Sequence, residues 1–246
     1  MVVVGLRYLI LILSCIGSHV AFAAELQLHS GPQQTVMIEL YTSEGCNSCP
    51  PAERFINEQL ANDQLWSTYI PLAFHVDYWD YLGWRDRFAT PANSQRQRSY
   101  GKVLHSRTIY TPEFFVNGKE WRRGFFGGMP PAATRQVGVL QARLLDTRLT
   151  ATFAPSDHDL KPRQLHVAVL GMGLVSNIRG GENAGRHTTH QFVVLAHTRV
   201  ISDTLRWQTT LPRIHDQHAN RKALVVWVSN SENPTPLQAT GGFLPR

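Results

Sequence analysis

Two cysteines three residues apart, Cys46 and Cys49, constrain what this chain can become more than any other feature. The sequence has one further cysteine, Cys15, and it sits in an N-terminal stretch that reads as an export segment. Arg7 gives that stretch a short positive start, and Tyr8 to Ile16 is an almost unbroken apolar run. Gly17 and Ser18 loosen the chain before Ala21-Phe22-Ala23, a small-x-small cleavage pattern. The run falls short of the roughly 20 apolar residues that span a bilayer. The expectation is a signal peptide over 1–23, cleavage near Ala23, and a periplasmic or secreted product. A membrane anchor follows only if Ile12-Leu13-Ser14-Cys15 acts as a lipoprotein box and Cys15 is lipidated. Export leads to an oxidising compartment, where stray thiols are hazards, so Cys46 and Cys49 point to each other as disulfide partners.

Composition narrows the class further. Hydrophobic residues make up 43% of the chain, which is ordinary for a globular protein. What remains after the export segment fits one large or two ordinary domains at roughly 150 residues each. The formal net charge is +6, and it is concentrated. Arg85, Arg87, Arg96, Arg98, Lys102, Arg107, Lys119, Arg122 and Arg123 face only Asp86, Glu113 and Glu120 in the same segment. Such a basic face can steer acidic partners or be a solvated surface. A nucleic-acid partner is not expected, because that role needs aromatics interleaved with the charges and a cytosolic address.

Along the chain, Val36 to Tyr41 reads as a strand and Thr42 to Gly45 as a turn before Cys46-Asn47-Ser48-Cys49-Pro50-Pro51. Phe55, Ile56, Gln59 and Leu60 fall at helical spacing. Ile70 to Val76 reads as a second strand, and Asp77 to Trp84 as an aromatic loop. Asp86 to Leu104 reads as a helix broken at Pro91. Thr111-Pro112 precedes a strand, Glu113 to Val116, and Asn117-Gly118 signals a hairpin that returns through Lys119 to Arg122. Ala132 to Leu145 reads as a closing helix. After Asp146, five strand-like runs are separated by turn clusters: 149–153, 164–170, 192–201, 205–211 and 223–229. The expected architecture is an α/β domain over 24–146, a mixed sheet with flanking helices, followed by a small all-β sandwich over 147–246.

A Cys-x-x-Cys at a strand-to-helix turn has a chemical logic. Free amides and the helix dipole favour negative charge on the first sulfur, and the second lies close enough to attack a mixed disulfide. Cys46 is therefore assigned as nucleophile and Cys49 as resolving thiol. The order strand, Cys-x-x-Cys, helix, then x-Pro, strand, Asn-Gly, strand resembles the thioredoxin fold. That resemblance implies a cis Pro112 facing the cysteine pair, with the Thr111 backbone contacting substrate chains. Glu39 to Cys46, Cys49 to Glu53, Asp77 to Trp84 and Gly181 to Arg186 resemble more narrowly a family of secreted thioredoxin-like proteins known as a domain of unknown function (number 1223). Two departures stand out. Gly45 precedes Cys46 where many thioredoxins carry tryptophan, and Pro50 and Pro51 remove amide donors and place the regular helix start at Pro51.

Glu39, His75, Asp77 and Trp79 are candidates for support. Glu39 is an acid in an apolar strand, with either proton transfer or a salt bridge as its role. Glu44, in the turn, would raise the Cys46 pKa by like charge. His75 and Asp77 end the second strand on the expected active side. Trp79, with Trp84, either lines a groove by the cysteines or plugs the core. His187 and His190, like His215 and His218, have spacing that puts strand side chains on opposite faces, so no metal pair is expected there. Glu182-Asn183 reads as a tight turn. The leading functional expectation is exported thiol–disulfide exchange with protein thiols or disulfides of the cell envelope, without a cofactor. The alternatives are a protein that holds a soft ion such as Cu(I) through Cys46, Cys49 and His75, and a non-enzymatic envelope module with an inert disulfide.

Overall fold

A computed structural model of the chain describes residues 25–106, 108–122, 128–157, 163–214 and 218–245. The expected export segment and Cys15 lie outside these residues, as does His215. The strands are β1 (Glu25–His29), β2 (Val36–Thr42), β3 (Tyr69–His75), β4 (Glu113–Val116), β5 (Lys119–Glu120), β6 (Gly138–Leu145), β7 (Arg148–Pro155), β8 (Arg163–Met172), β9 (Leu174–Asn177), β10 (His187–His190), β11 (Val193–Ser202), β12 (Arg206–Thr210), β13 (Arg221–Asn230) and β14 (Pro236–Phe243). The α-helices among the described residues are α1 (Pro50–Glu58) and α2 (Pro91–Val103).

The expected fold class, a helix-flanked α/β thioredoxin-like domain followed by a separate all-β sandwich, is overturned. The protein is dominated by strands, with two α-helices among the described residues. Its largest sheet has eight strands in the order β14-β13-β8-β11-β3-β2-β4-β5. Four of these strands come from the part of the chain assigned to a sandwich. The join is at β3, whose seven residues are all buried, as befits a strand with neighbours on both sides. β2 pairs with β3 in parallel across the α1 crossover, and β11 continues in parallel on the other side through Val193 and Ala73. The Ala73 amide donates to Phe192 O at 2.8 Å.

The segment read as a closing helix is the other correction. Residues 138–145 form β6, whose inward residues Leu140, Ala142 and Leu144 alternate with more exposed ones. That period of two fits a half-buried strand and not a helix. Gly138 starts the strand at φ +111°, where a Cβ would meet the Ala154 carbonyl at 2.1 Å. β6 belongs to a second sheet of order β1-β6-β7-β12.

The second sheet packs on one face of β8 and β13. Leu165, Val167, Leu224, Val226 and Val228 meet Leu140, Leu144, Leu149 and Phe153 in one core. The alternate residues Ala168, Leu170, Ala223, Val225 and Trp227 turn to the opposite core, built on β2, β3 and α1. Both faces of β8 and β13 are therefore apolar, which explains their nearly unbroken hydrophobic runs. One further pair of strands, β9 and β10, forms a small antiparallel ribbon. Its placement matters, because β10 carries His190 toward the end of β3.

Candidate functional site

The C-terminal end of β2 leads through Ser43-Glu44-Gly45 into the cysteine turn. Cys46 and Cys49 are joined by a disulfide. The Cys49 amide donates to Cys46 O at 3.2 Å, and the Glu53 amide to Cys49 O at 3.1 Å, so the turn runs directly into α1. Cys49 caps that helix and Pro50 opens it, one residue earlier than the sequence placed it. Proline suits a first helical position because its missing N–H has no partner to lose there. The turn residues Asn47 and Ser48 are exposed, whereas Cys46 and Cys49 are 1% and 0% exposed. The Ser48 hydroxyl lies 3.3 Å from Cys46 Sγ.

Two walls flank the cysteine turn. The first is aromatic. A Cβ at Gly45 would sit 3.2 Å from the Trp79 Cβ, so glycine at this position lets the aromatic loop close on the turn. Trp79 Nε1 donates to Thr111 Oγ1 at 2.7 Å, which ties the loop to the residue before Pro112. The Thr111–Pro112 peptide is cis. Trp84 Nε1 donates to Glu44 Oε2 at 2.6 Å. The second wall is the 180–186 loop. Gly180 approaches so closely that a Cβ there would lie 2.4 Å from Gly83 O. From this loop the buried Asn183 side chain donates to both Glu44 O and Cys46 O at 2.8 Å. Glu182 Oε2 accepts from the Asn47 amide at 3.3 Å. The pair that read as a simple tight turn thus clamps the cysteine turn through contacts 135 to 139 residues apart in sequence.

Beneath the turn lies a buried polar cluster. His75 Nδ1 is 2.6 Å from Asp86 Oδ2, and that oxygen also accepts the Glu44 amide at 2.9 Å. His190 Nε2 is 3.2 Å from Glu44 Oε1, and its Nδ1 is 3.3 Å from Glu53 Oε2. Thr42 Oγ1 donates to the other Glu53 oxygen at 2.7 Å. Burial works against charge on His190, yet the Glu44 and Glu53 carboxylates lift it to about 10. Burial alone would raise Asp86 and Glu53, but His75 and His190 respectively hold these carboxyls below their ordinary range. Glu44 is lowered in the same way: burial opposes it and His190 overrides.

The remaining candidates are spread around this centre. Glu39 faces a different network: Arg96 Nε and Nη2 reach its two oxygens at 2.8 and 3.0 Å, and the Tyr41 and Tyr100 hydroxyls complete the set. Asp77 is held by Ser94, whose Oγ accepts the Asp77 amide at 3.2 Å and donates back to the carboxylate. Cys46, Cys49 and His75 do not form a common ligand group. Among the described residues, the one group of ligating side chains in mutual reach is Glu53, His75 and His190. His187 and His190 do lie on opposite faces of β10, one exposed and one buried. The signal for His190 was only its inward register. Glu44, Glu53 and Asp86 carried no signal that marked them as partners.

A family model described as "Protein of unknown function (DUF1223)" matches residues 37–229. The chain belongs to the DUF1223 family. The matched span of this DUF1223 chain takes in the cysteine turn, His75, Thr111-Pro112, Asn183 and His190. No curated protein matches it. Among solved structures, protein AGR_C_4864 from Agrobacterium tumefaciens is similar with a TM-score of 0.60 and 20% identity, over 87% of this chain and 96% of that one. HBP35 of Porphyromonas gingivalis is similar with a TM-score of 0.56 and 19% identity, over 87% of this chain and 76% of that one. At these identities the likeness is one of fold.

Two predictions follow from this geometry. Replacing Asn183 by Ala removes the donor to Glu44 O and leaves Cys46 O with the Cys49 amide alone, at a cost of about 1–3 kcal/mol. Denaturant melts should show that loss, and the Cys46–Cys49 bond should be reduced by dithiothreitol faster than in the parent. An unchanged reduction rate would contradict the clamp. Glu113, next to Pro112, is pushed up to about 7 by burial, although Gln97 donates to it at 2.6 Å. A carboxyl raised in the folded state contributes stability below its unfolded pKa, and that contribution is lost as pH rises through about 7. Thermal melts from pH 4 to pH 8 should therefore show Glu113→Gln gaining on the parent as pH rises; a pH-independent difference would refute it.

Proposed function

We propose that this protein is an exported, envelope-resident protein that exchanges disulfides with protein thiols through Cys46 and Cys49. The observation that carries the reading is the position of the disulfide, which closes a Cys-x-x-Cys turn at the start of α1. A helix N-terminus favours the thiolate that exchange requires. Ser48, at 3.3 Å, is placed to donate to Cys46 as a thiolate. The short loop also makes the bond a weak staple, since closing few residues removes little chain entropy.

In the oxidising direction a substrate thiolate attacks Cys46 Sγ. The Cys46–Cys49 bond breaks, and Cys49 leaves as a thiolate that takes up a proton. A second substrate thiolate then attacks the substrate sulfur of the mixed disulfide and releases Cys46. The substrate departs as a disulfide, oxidised by two electrons, and the protein is left as the dithiol. The reverse sequence has Cys46 open a substrate disulfide and Cys49 resolve it. Both sulfurs are covered, so exchange follows local opening of the Trp79 or Asn183 wall.

Cys49→Ser should accumulate mixed disulfides with a thiol-containing protein, visible as reducible adducts on non-reducing gels. Cys46→Ser should accumulate none and lose exchange by at least a hundredfold. Parental exchange in both variants would refute the proposal.

A further inference from the structure

We infer that Glu53, His75 and His190 form a site for a divalent first-row transition-metal ion beneath the cysteine turn. The three residues come from α1, β3 and β10, and their ligand atoms lie within 4.8 Å of one another. A zinc ion holds imidazole nitrogens and carboxylate oxygens at about 2.0–2.2 Å, so modest side-chain rotation closes the triad around one. Two imidazoles and one carboxylate are a donor set that first-row divalent ions take, with a coordination position left open.

The surroundings of the triad support this assignment independently. Asp86 Oδ2 accepts from the Glu44 amide, so it acts as an acceptor toward His75 as well, and the His75 proton sits on Nδ1. That leaves the His75 Nε2 lone pair available for an ion. His190 lies between two carboxylates, with Nε2 3.2 Å from Glu44 and 2.9 Å from the Thr188 hydroxyl and Nδ1 3.3 Å from Glu53, so an ion bound on the Glu53 side takes the place of the Nδ1 proton. Each imidazole thus has a carboxylate outside the triad on its non-ligating nitrogen. Carboxylates in that position orient metal-binding histidines and strengthen them as donors.

Two further observations bear on the site. The three carboxylates Glu44, Glu53 and Asp86, the first and last buried and Glu53 partly so, outnumber the two imidazoles they face. A dication would offset that excess. A cleft of about 480 Å³ lined by Pro50, Glu53, Asn57 and Thr188 meets the triad at Glu53. Arg54 and Arg186 line it too, so affinity comes from the buried donors and not from attraction at the mouth.

This inference does not rest on the dithiol reading, and the test keeps the two apart. The exported chain, with its disulfide intact so that no thiolate can bind, is stripped with a chelator and titrated with Zn²⁺ by calorimetry. Elemental analysis after gel filtration should count one zinc per chain. Glu53→Gln and His190→Gln should each weaken binding at least tenfold, and Asp86→Asn by about 10–100-fold. A second readout needs no variant. Co²⁺ on the parent should give the visible bands of a low-coordinate nitrogen and oxygen site, with no sulfur charge-transfer band. Failure to retain zinc, a hydrated-cobalt spectrum or a sulfur band would each overturn the site.

Discussion

The interaction on which this site depends is the mutual compensation of buried charge beneath the cysteine turn. Glu44, Asp86 and His190 are each at most 2% exposed, and Glu53 and His75 close the same cluster. Desolvating a single ion costs several kcal/mol after relaxation, so none of these groups could sit here alone. Held together, they fix five separate pieces of backbone. Glu44 anchors the turn after β2, Glu53 the first turn of α1, His75 the end of β3, Asp86 the segment before α2, and His190 the end of β10. Removing one partner from such a set typically costs about 3–5 kcal/mol, because the others are left uncompensated. The geometry of Cys46 and Cys49 is inherited from that framework.

A second buried ion pair performs the same task farther along the sheet. Arg96 on α2 meets Glu39 on β2 with two hydrogen bonds, and its guanidinium also lies 5.0 Å from the ring of Trp227 on β13. The pair therefore links α2 to strands from both halves of the eight-stranded sheet. It also accounts for one member of the basic 85–123 segment as an interior residue. Arg122, by contrast, pairs with Glu120 on the surface at 2.9 Å. Concentrated charge in the sequence thus divides between a buried structural role and a solvated one, as exposure dictates.

What could be read from the sequence was whatever is encoded locally. The cysteine turn, the strand over 113–116 and the Asn117-Gly118 hairpin need only adjacent residues; Asn117 and Gly118 take φ of 45° and 77°, the left-handed pair such a turn requires. The 132–145 segment misled because Ala132, Ala133 and Val139 fit a helix as well as a strand. Only Leu140, Ala142 and Leu144 carry the decisive alternation. The runs of β8 and β13 read as strands, but burial on both faces does not say which sheet they join. That choice rests on the β3–β11 pairing, between residues 120 apart at Ala73 and Val193. The polar cluster was legible only in part: His75 and Glu44 stood out singly, but not their joining with Glu53, Asp86 and His190. Its members run from Glu44 to His190 with no shared period, and Glu53, Asp86 and His190 alone look like ordinary surface acids or a packed histidine.

The most direct test of the account is the reduction potential of the Cys46–Cys49 pair, measured by thiol trapping after equilibration in graded redox buffers. Exchange chemistry predicts a value between about −120 and −270 mV, the range of dithiol catalysts. A value below about −300 mV would identify a structural disulfide resistant to physiological thiols and would contradict the account.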